Sequence, residues 1–205
     1  MRFLIISLCI CLFSSCALQT TKGLFEIPAN KQVYVNSYFS NLSTDYVYKA
    51  KIEAFSNSFG GILIIKKIDT NQHRIVFTTE FGNKIFDFEL LDDEVKIHFI
   101  MDQLDKEIVI NTLINDFRVL THENNSVDKA FENTVENIYR TPLKKRFNFY
   151  FENKDTQKLN QIRNTTATKE KTIIQFKKIE EAISKEISIT HNGFPLSVNL
   201  FFLDQ

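Results

Sequence analysis

The sequence predicts a mainly β domain, α+β in detail: about ten antiparallel strands with one inserted helix, arranged as a sandwich or a barrel-like sheet. Three observations carry this. From Tyr46 onward the apolar residues mostly recur with a period of two. Turn residues punctuate the alternation at short intervals, as at Asp69, Gly82-Asn83, Asp92-Asp93 and Asn192-Gly193. Only residues 102–117 shift to a helical spacing, through Leu104, Ile108, Leu113, Ile114 and Phe117.

The first two strands are read at 47–55 and 60–68. The next two, 73–80 and 84–90, flank a tip of Phe81, Gly82 and Asn83. The fifth, 95–100, places Val95, Ile97 and Phe99 on one face. The helix then starts with Asp102 as N-cap and Asp105 in its first turn, although the β-branched run from Ile108 to Ile110 weakens it. It is expected to lay Ile108, Leu113 and Ile114 over the concave face of the sheet. Later strands are read at 146–152, at 172–178 and in a hairpin of 186–190 and 196–202. That hairpin closes on Asn192-Gly193, the preferred two-residue turn. Residues 28–42 are ambiguous: Val35, Phe39 and Leu42 favour a helix, Val33, Val35 and Ser37 a strand. The helix is the preferred reading.

The N-terminus reads differently. Arg2 precedes an apolar run from Phe3 to Phe13, then Ser14, Ser15 and Cys16. This is the size of a secretory signal, too short for a spanning helix of ~20 residues. The small pair before Cys16 resembles a bacterial lipobox, in which the cysteine is lipidated. The expected organisation is a signal peptide over 1–15, a lipidated N-terminus and tether over 16–23, and a single domain over 24–205. Ala17 after the cysteine resembles an outer-membrane address. Cys9 and Cys11 fall within the signal, so no disulfide is expected in the exported part.

The 25 basic residues balance the 25 acidic ones, which argues against a nucleic-acid partner. No cofactor and no metal site is expected. His73, His98, His122 and His191 lie on separate segments without ligand-like spacing. No nucleophile elbow or glycine-rich phosphate loop occurs, so the chain is not read as an enzyme. Gly60-Gly61 reads as a kink at a strand start. Lys144-Lys145-Arg146 is the one compact basic cluster, either a charged strand end that discourages edge pairing or a contact for anionic headgroups.

The 20 phenylalanines raise a sharper question. Phe86 and Phe88 form one stripe, and Phe147, Phe149 and Phe151 another. Such stripes are normally core, but the strands outnumber the helices available to cover them. An apolar cavity suited to acyl chains would be lined by Phe77, Phe86, Phe88, Phe99 and Leu113, and by Phe147, Phe149, Phe151, Val198 and Leu200.

The run from Arg74 through Ile75, Val76, Phe77 and Thr78 to Phe81 and Gly82, followed by Ile85-Phe-Asp-Phe-Glu-Leu90, resembles the corresponding hairpin of the LolA/LolB family. The lipidated start and the helix before a short apolar strand, placed at 117–120, agree with it. The resemblance implies an unclosed, strongly curved antiparallel barrel capped by one or two helices. It implies binding of the acyl chains of a lipoprotein or lipid, for transfer or insertion at the outer membrane from a periplasm-facing position. A periplasmic carrier would be the partner, and Phe81 would be the tip that helps pass cargo to the membrane. The competing expectation is a non-catalytic structural or interaction lipoprotein of an envelope complex, with a filled core.

Overall fold

A computed structural model describes residues 18–91 and 94–204. The signal peptide expected over 1–15, Cys16 and the turn expected at Asp92-Asp93 lie outside them. After a short 3-10 turn (Gln19–Thr21) come β1 (Phe25–Ile27), β2 (Val33–Val35), β3 (Asp45–Ala54), β4 (Asn57–Asp69), β5 (Gln72–Thr78), β6 (Lys84–Leu91) and β7 (Glu94–Ile100). One helix follows, α1 (Glu107–Thr121). Then come β8 (Asn124–Ser126), β9 (Lys129–Glu132), β10 (Glu136–Leu143), β11 (Arg146–Asn153), β12 (Leu159–Thr165), β13 (Glu170–Glu180), β14 (Ile183–His191) and β15 (Leu196–Phe202). The described residues thus form fifteen strands rather than about ten.

Thirteen strands make one antiparallel sheet in the order β1-β9-β10-β11-β12-β13-β14-β15-β3-β4-β5-β6-β7. β2 and β8 pair separately. The sheet does not close, because β1 and β7 remain its two edges. Thirteen flat strands at about 4.8 Å spacing would span roughly 58 Å. Yet Tyr139 and Tyr150 near one edge share a hydrophobic core with Phe77, Phe86 and Phe88 near the other. Only strong curvature brings them together.

α1 carries the chain across the concave side, from edge strand β7 back toward β9. Val109, Ile110, Leu113, Ile114, Phe117 and Leu120 are buried beneath it. Asp102 is not its N-cap: residues 101–105 form a turn pinned by buried Leu104, and Lys106 takes the cap position. Ile108 faces outward at 58% exposure, while the β-branched Val109 and Ile110 are accepted because both are buried. Residues 117–120, expected as a strand, complete the helix.

Residues 28–42 form no helix, and apart from the short strand β2 they are irregular. They enter the half-barrel as an irregular plug. The Tyr34 ring stacks on Tyr139 and Tyr150, Tyr38 meets Phe176, and Phe39 meets Tyr46 and Tyr48. Phe39 adopts φ 61°, an uncommon left-handed conformation for a bulky residue. Its burial and a hydrogen bond from His73 Nε2 to its carbonyl (3.0 Å) hold it there. The Asn192-Gly193 connection joins β14 to β15 through four residues rather than two, with Gly193 at φ 78°.

Candidate functional site

The sheet places several hairpin tips at one end, its mouth. β3–β4 turns there at Phe55, β5–β6 at Phe81, β10–β11 at Lys144-Lys145 and β14–β15 at residues 192–195. The N-terminus of α1 lies at the same end, where Lys106 Nζ sits 5.5 Å over the Phe55 ring.

The interior below is apolar and filled. Phe77, Phe86, Phe88, Leu113, Val198 and Leu200 lie in one core, each essentially inaccessible. Phe86 stacks on Phe88 and meets Phe117 of the helix. The other four residues expected in a cavity lie elsewhere. A strand has two faces, and on β11 it is Tyr150 that points inward. Phe149 and Phe151 therefore pack on the opposite face with Phe131 and Ile138, where Leu18, Leu24 and Phe147 cover them. A register shift after Asp87 sets Phe99 opposite Asp87 while Ile97 faces Phe88. Phe99 stays 42% exposed on edge strand β7, beside the exposed Val95 and Ile97.

Phe81 is 94% exposed. Its tip is held by a Thr79 N–H to Asn83 carbonyl bond (2.8 Å) and a Gly82 N–H to Thr79 carbonyl bond (3.0 Å). Gly82 takes φ 86°, which suits glycine. Behind this tip, Asp87 is buried and accepts a two-pronged bond from Arg74 (2.9 and 3.0 Å) and a third from Lys84 Nζ (2.8 Å). Arg74 foremost, with Lys84, holds the Asp87 carboxyl down at about 2 against the cost of burial.

Charge enters the interior where α1 meets β14. Asp116 on the helix is fully buried, and His191 Nε2 lies 3.0 Å from its carboxylate. The other ring nitrogen, Nδ1, lies 2.7 Å from the Leu196 carbonyl. With acceptors on both sides, the ring is suited to carry both protons. Burial pulls the His191 pKa down, but Asp116 and the Leu196 carbonyl outweigh it and leave it raised. Burial pushes the Asp116 carboxyl up, against the pull of His191. The pair latches the helix to the mouth of the sheet. Its one trace in the sequence is an acid at position 116, inside the apolar stripe of residues 113, 117 and 120.

Outside this latch, α1 and the tips of β10–β11 and β14–β15 enclose a cleft of about 1100 Å³. Lys144, Lys145, Arg146 and Lys171 line it, with Glu107 opposite and Ile108, Leu143 and Phe194 supplying apolar wall. Lys144-Lys145 is thus the two-residue turn of a hairpin, with Lys144 at φ 55°. Among the described residues no cluster of His, Cys, Asp or Glu is arranged to hold a metal ion, and no helix is long and apolar enough to cross a membrane.

No protein-family model and no curated protein sequence matches the chain. Among solved structures, a domain of Vibrio parahaemolyticus named for outer membrane lipoprotein sorting matches 78% of this chain and 83% of its own, at 7% identity and a TM-score of 0.45. A LolA superfamily protein of Nitrosomonas europaea matches 82% of this chain and 88% of its own, at 6% identity and a TM-score of 0.50. An unclosed, strongly curved antiparallel sheet with a helix laid across its hollow is the architecture this chain shares with that second protein, and its fold is LolA-like.

Proposed function

We propose that this chain is a lipid-anchored, periplasm-facing protein of the outer membrane that takes up acyl chains of a lipoprotein or lipid on the concave face of its sheet. The observation that carries the reading is the open half-barrel. Its apolar inner face, from Tyr48 and Leu63 to Phe77 and Phe86, is covered by a single amphipathic helix and an irregular plug rather than by a second sheet. Both covers are held partly by polar contacts: α1 by Asp116–His191, the plug by His73 and by the Tyr38 hydroxyl on the Leu159 carbonyl (2.9 Å). Such contacts can be exchanged for water, whereas interdigitated sheets separate only by unfolding. Uptake then means that an acyl chain replaces Phe117, Leu113 or Tyr34 against the sheet. Lipid on Cys16 anchors the protein, Phe81 meets the membrane or the cargo, and a periplasmic carrier supplies that cargo. The reading includes no catalytic step.

Two measurements test it. Organic extraction and mass spectrometry of the purified protein should return a stoichiometric acyl lipid beyond the anchor. Metabolic labelling with a fatty-acid probe should mark the wild type and not Cys16→Ser; equal labelling of both rules out the anchor. A second reading, a structural or interaction lipoprotein of an envelope complex, draws on the filled interior and on the exposed Val95, Ile97 and Phe99 of edge strand β7. Extraction that yields no acyl lipid beyond the anchor decides for it.

A further inference from the structure

We propose that the cleft between α1 and the β10–β11 and β14–β15 tips binds the phosphate group of an anionic amphiphile. The chain as a whole is neutral, yet this cleft is not. Lys145, Arg146 and Lys171 line it, beside Arg118, Lys144 and His191, and Glu107 is the one acid among its lining residues. Arg118 is engaged by the Glu94 carbonyl at 3.0 Å. Lys145, Arg146 and Lys171 form no ion pair among the described residues, in a protein whose other lysines and arginines are widely paired. Asp116, the nearby buried carboxylate, is bound by His191 and acts on Arg146 of this group but not on Lys145 or Lys171.

The geometry fits a phosphate better than a point anion. Arg146 Nη1 donates to Asn164 Oδ1 at 2.9 Å, which holds the guanidinium against the cleft wall. Asn164 Nδ2 donates on to Asn148 Oδ1 at 2.7 Å, and Asn148 Nδ2 is left buried with no hydrogen-bond partner. A polar path thus runs inward from the cation with an unused donor at its end, and such donors are normally occupied. Side-chain amides of Asn111 and Asn115 add donors around the opening, while that of Asn192 is held by Glu170 (3.0 Å). Arginine with adjacent lysines is the usual protein answer to phosphate oxygens. The volume, about 1100 Å³, is at the upper end for ligand pockets and far beyond what inorganic phosphate fills. The apolar wall of Ile108, Leu143 and Phe194 gives the rest of an amphiphile a place to lie. Because the cleft is open as it stands, this assignment is independent of whether acyl chains enter the sheet.

Calorimetric titration of the purified protein with three water-soluble probes tests it: dihexanoyl phosphatidylglycerol, dihexanoyl phosphatidylcholine and inorganic phosphate. The expected result is tightest binding of phosphatidylglycerol, weakened at least tenfold in Lys145→Glu/Lys171→Glu and weakened by added salt. Lys178→Glu, near the distant β13–β14 turn, should bind as wild type. Melting midpoints check that the variants fold; if the double reversal does not, Lys145→Gln/Lys171→Gln repeats the test. Phosphate bound as tightly as phosphatidylglycerol, and lost in the same variant, supports the anion site and assigns it to free phosphate rather than a headgroup. Equal binding of the two lipids, unmoved by the double variant, overturns the proposal while leaving acyl binding in the sheet intact. No binding of phosphatidylglycerol or phosphate also overturns it.

Discussion

At Gly61 the main chain of β4 runs so close to β5 that a Cβ there would lie 1.8 Å from the Thr78 carbonyl oxygen. Its neighbour Gly60 directs its Cβ position to the other face, where space is open. The pair reads in sequence as a kink, and only the packing of β4 on β5 separates the two roles. Gly61→Ala should destabilise by roughly 3 kcal/mol, because backbone must move. Gly60→Ala should stay within about 1 kcal/mol. Urea unfolding of both variants checks this, and equal losses would discount the contact. Phe81 shows how much a tip residue discloses through its own type and its neighbours. A large aromatic beside Gly82-Asn83 is out of place in a turn, and it is indeed exposed. Phe81→Glu should leave the melting midpoint nearly unchanged, since surface changes typically stay within about 0.5 kcal/mol. Under the proposed function it should still slow transfer of bound lipid to vesicles. A variant that melts early shows a structural ring; one that transfers normally removes the role. The partner of Arg74 was not readable from the motif. Asp87 lies in the same hairpin run, but only the register across β5–β6 brings its carboxylate to the guanidinium.

Elements were legible where their buried positions are apolar and hidden where they are not. The hairpin of β5 and β6 and the last strand β15 fall near their expected bounds, and β5 and β15 alternate cleanly. β10 and β12 do not, because their positions facing across the sheet to Asn148 are Thr141 and Asn164, buried polar residues that break an apolar rhythm. The stripe of Phe147, Phe149 and Phe151 failed for another reason. Period two marks a buried face but not whether it is the hollow or the outer one, and the N-terminal segment covering it leaves no local mark. The plug at residues 28–42 takes its conformation from tertiary burial, which propensity does not encode. α1 was visible through its period, shifted by five residues at its start because Leu104 is spent on anchoring the preceding turn. Within it, Leu113 is fully buried and Ile108 is not. Leu113→Ala should therefore cost about 3 kcal/mol, and Ile108→Ala about 0.5 kcal/mol or less. Chemical denaturation distinguishes them. A loss well under 2 kcal/mol at Leu113 would indicate a helix seated loosely enough to lift for cargo.

Over the whole molecule, two histidines buried at opposite ends of the hollow should set a pH optimum for stability. His73 beneath the plug has its pKa lowered, first by burial, against the pull of the Phe39 carbonyl and Glu123 and with the push of Lys67 and His122. The unfolded chain binds that proton near its ordinary 6.5, so stability falls as pH drops below this value. Asp87 extends the loss at stronger acid: its carboxyl is held at about 2 against an ordinary 3.8, worth about 2 kcal/mol that disappears as it is protonated. His191 acts in the opposite sense. Its pKa is raised in the fold by Asp116 and the Leu196 carbonyl, against burial and Arg146, so the folded pair keeps a proton that the unfolded chain releases. That contribution is present in full below 6.5 and lost as pH rises through the folded value. Urea midpoints measured across pH should therefore peak near 6.5 and decline on both sides. Because Asp116–His191 latches α1 to the mouth, the alkaline limb also reports the seating of the helix. In Asp116→Asn/His191→Gln, where neither buried partner is left charged, the decline above pH 6.5 should vanish while the acid limb persists. An alkaline limb unchanged in that double variant would show that the latch does not govern stability there, and would separate the seating of the helix from its one buried ion pair.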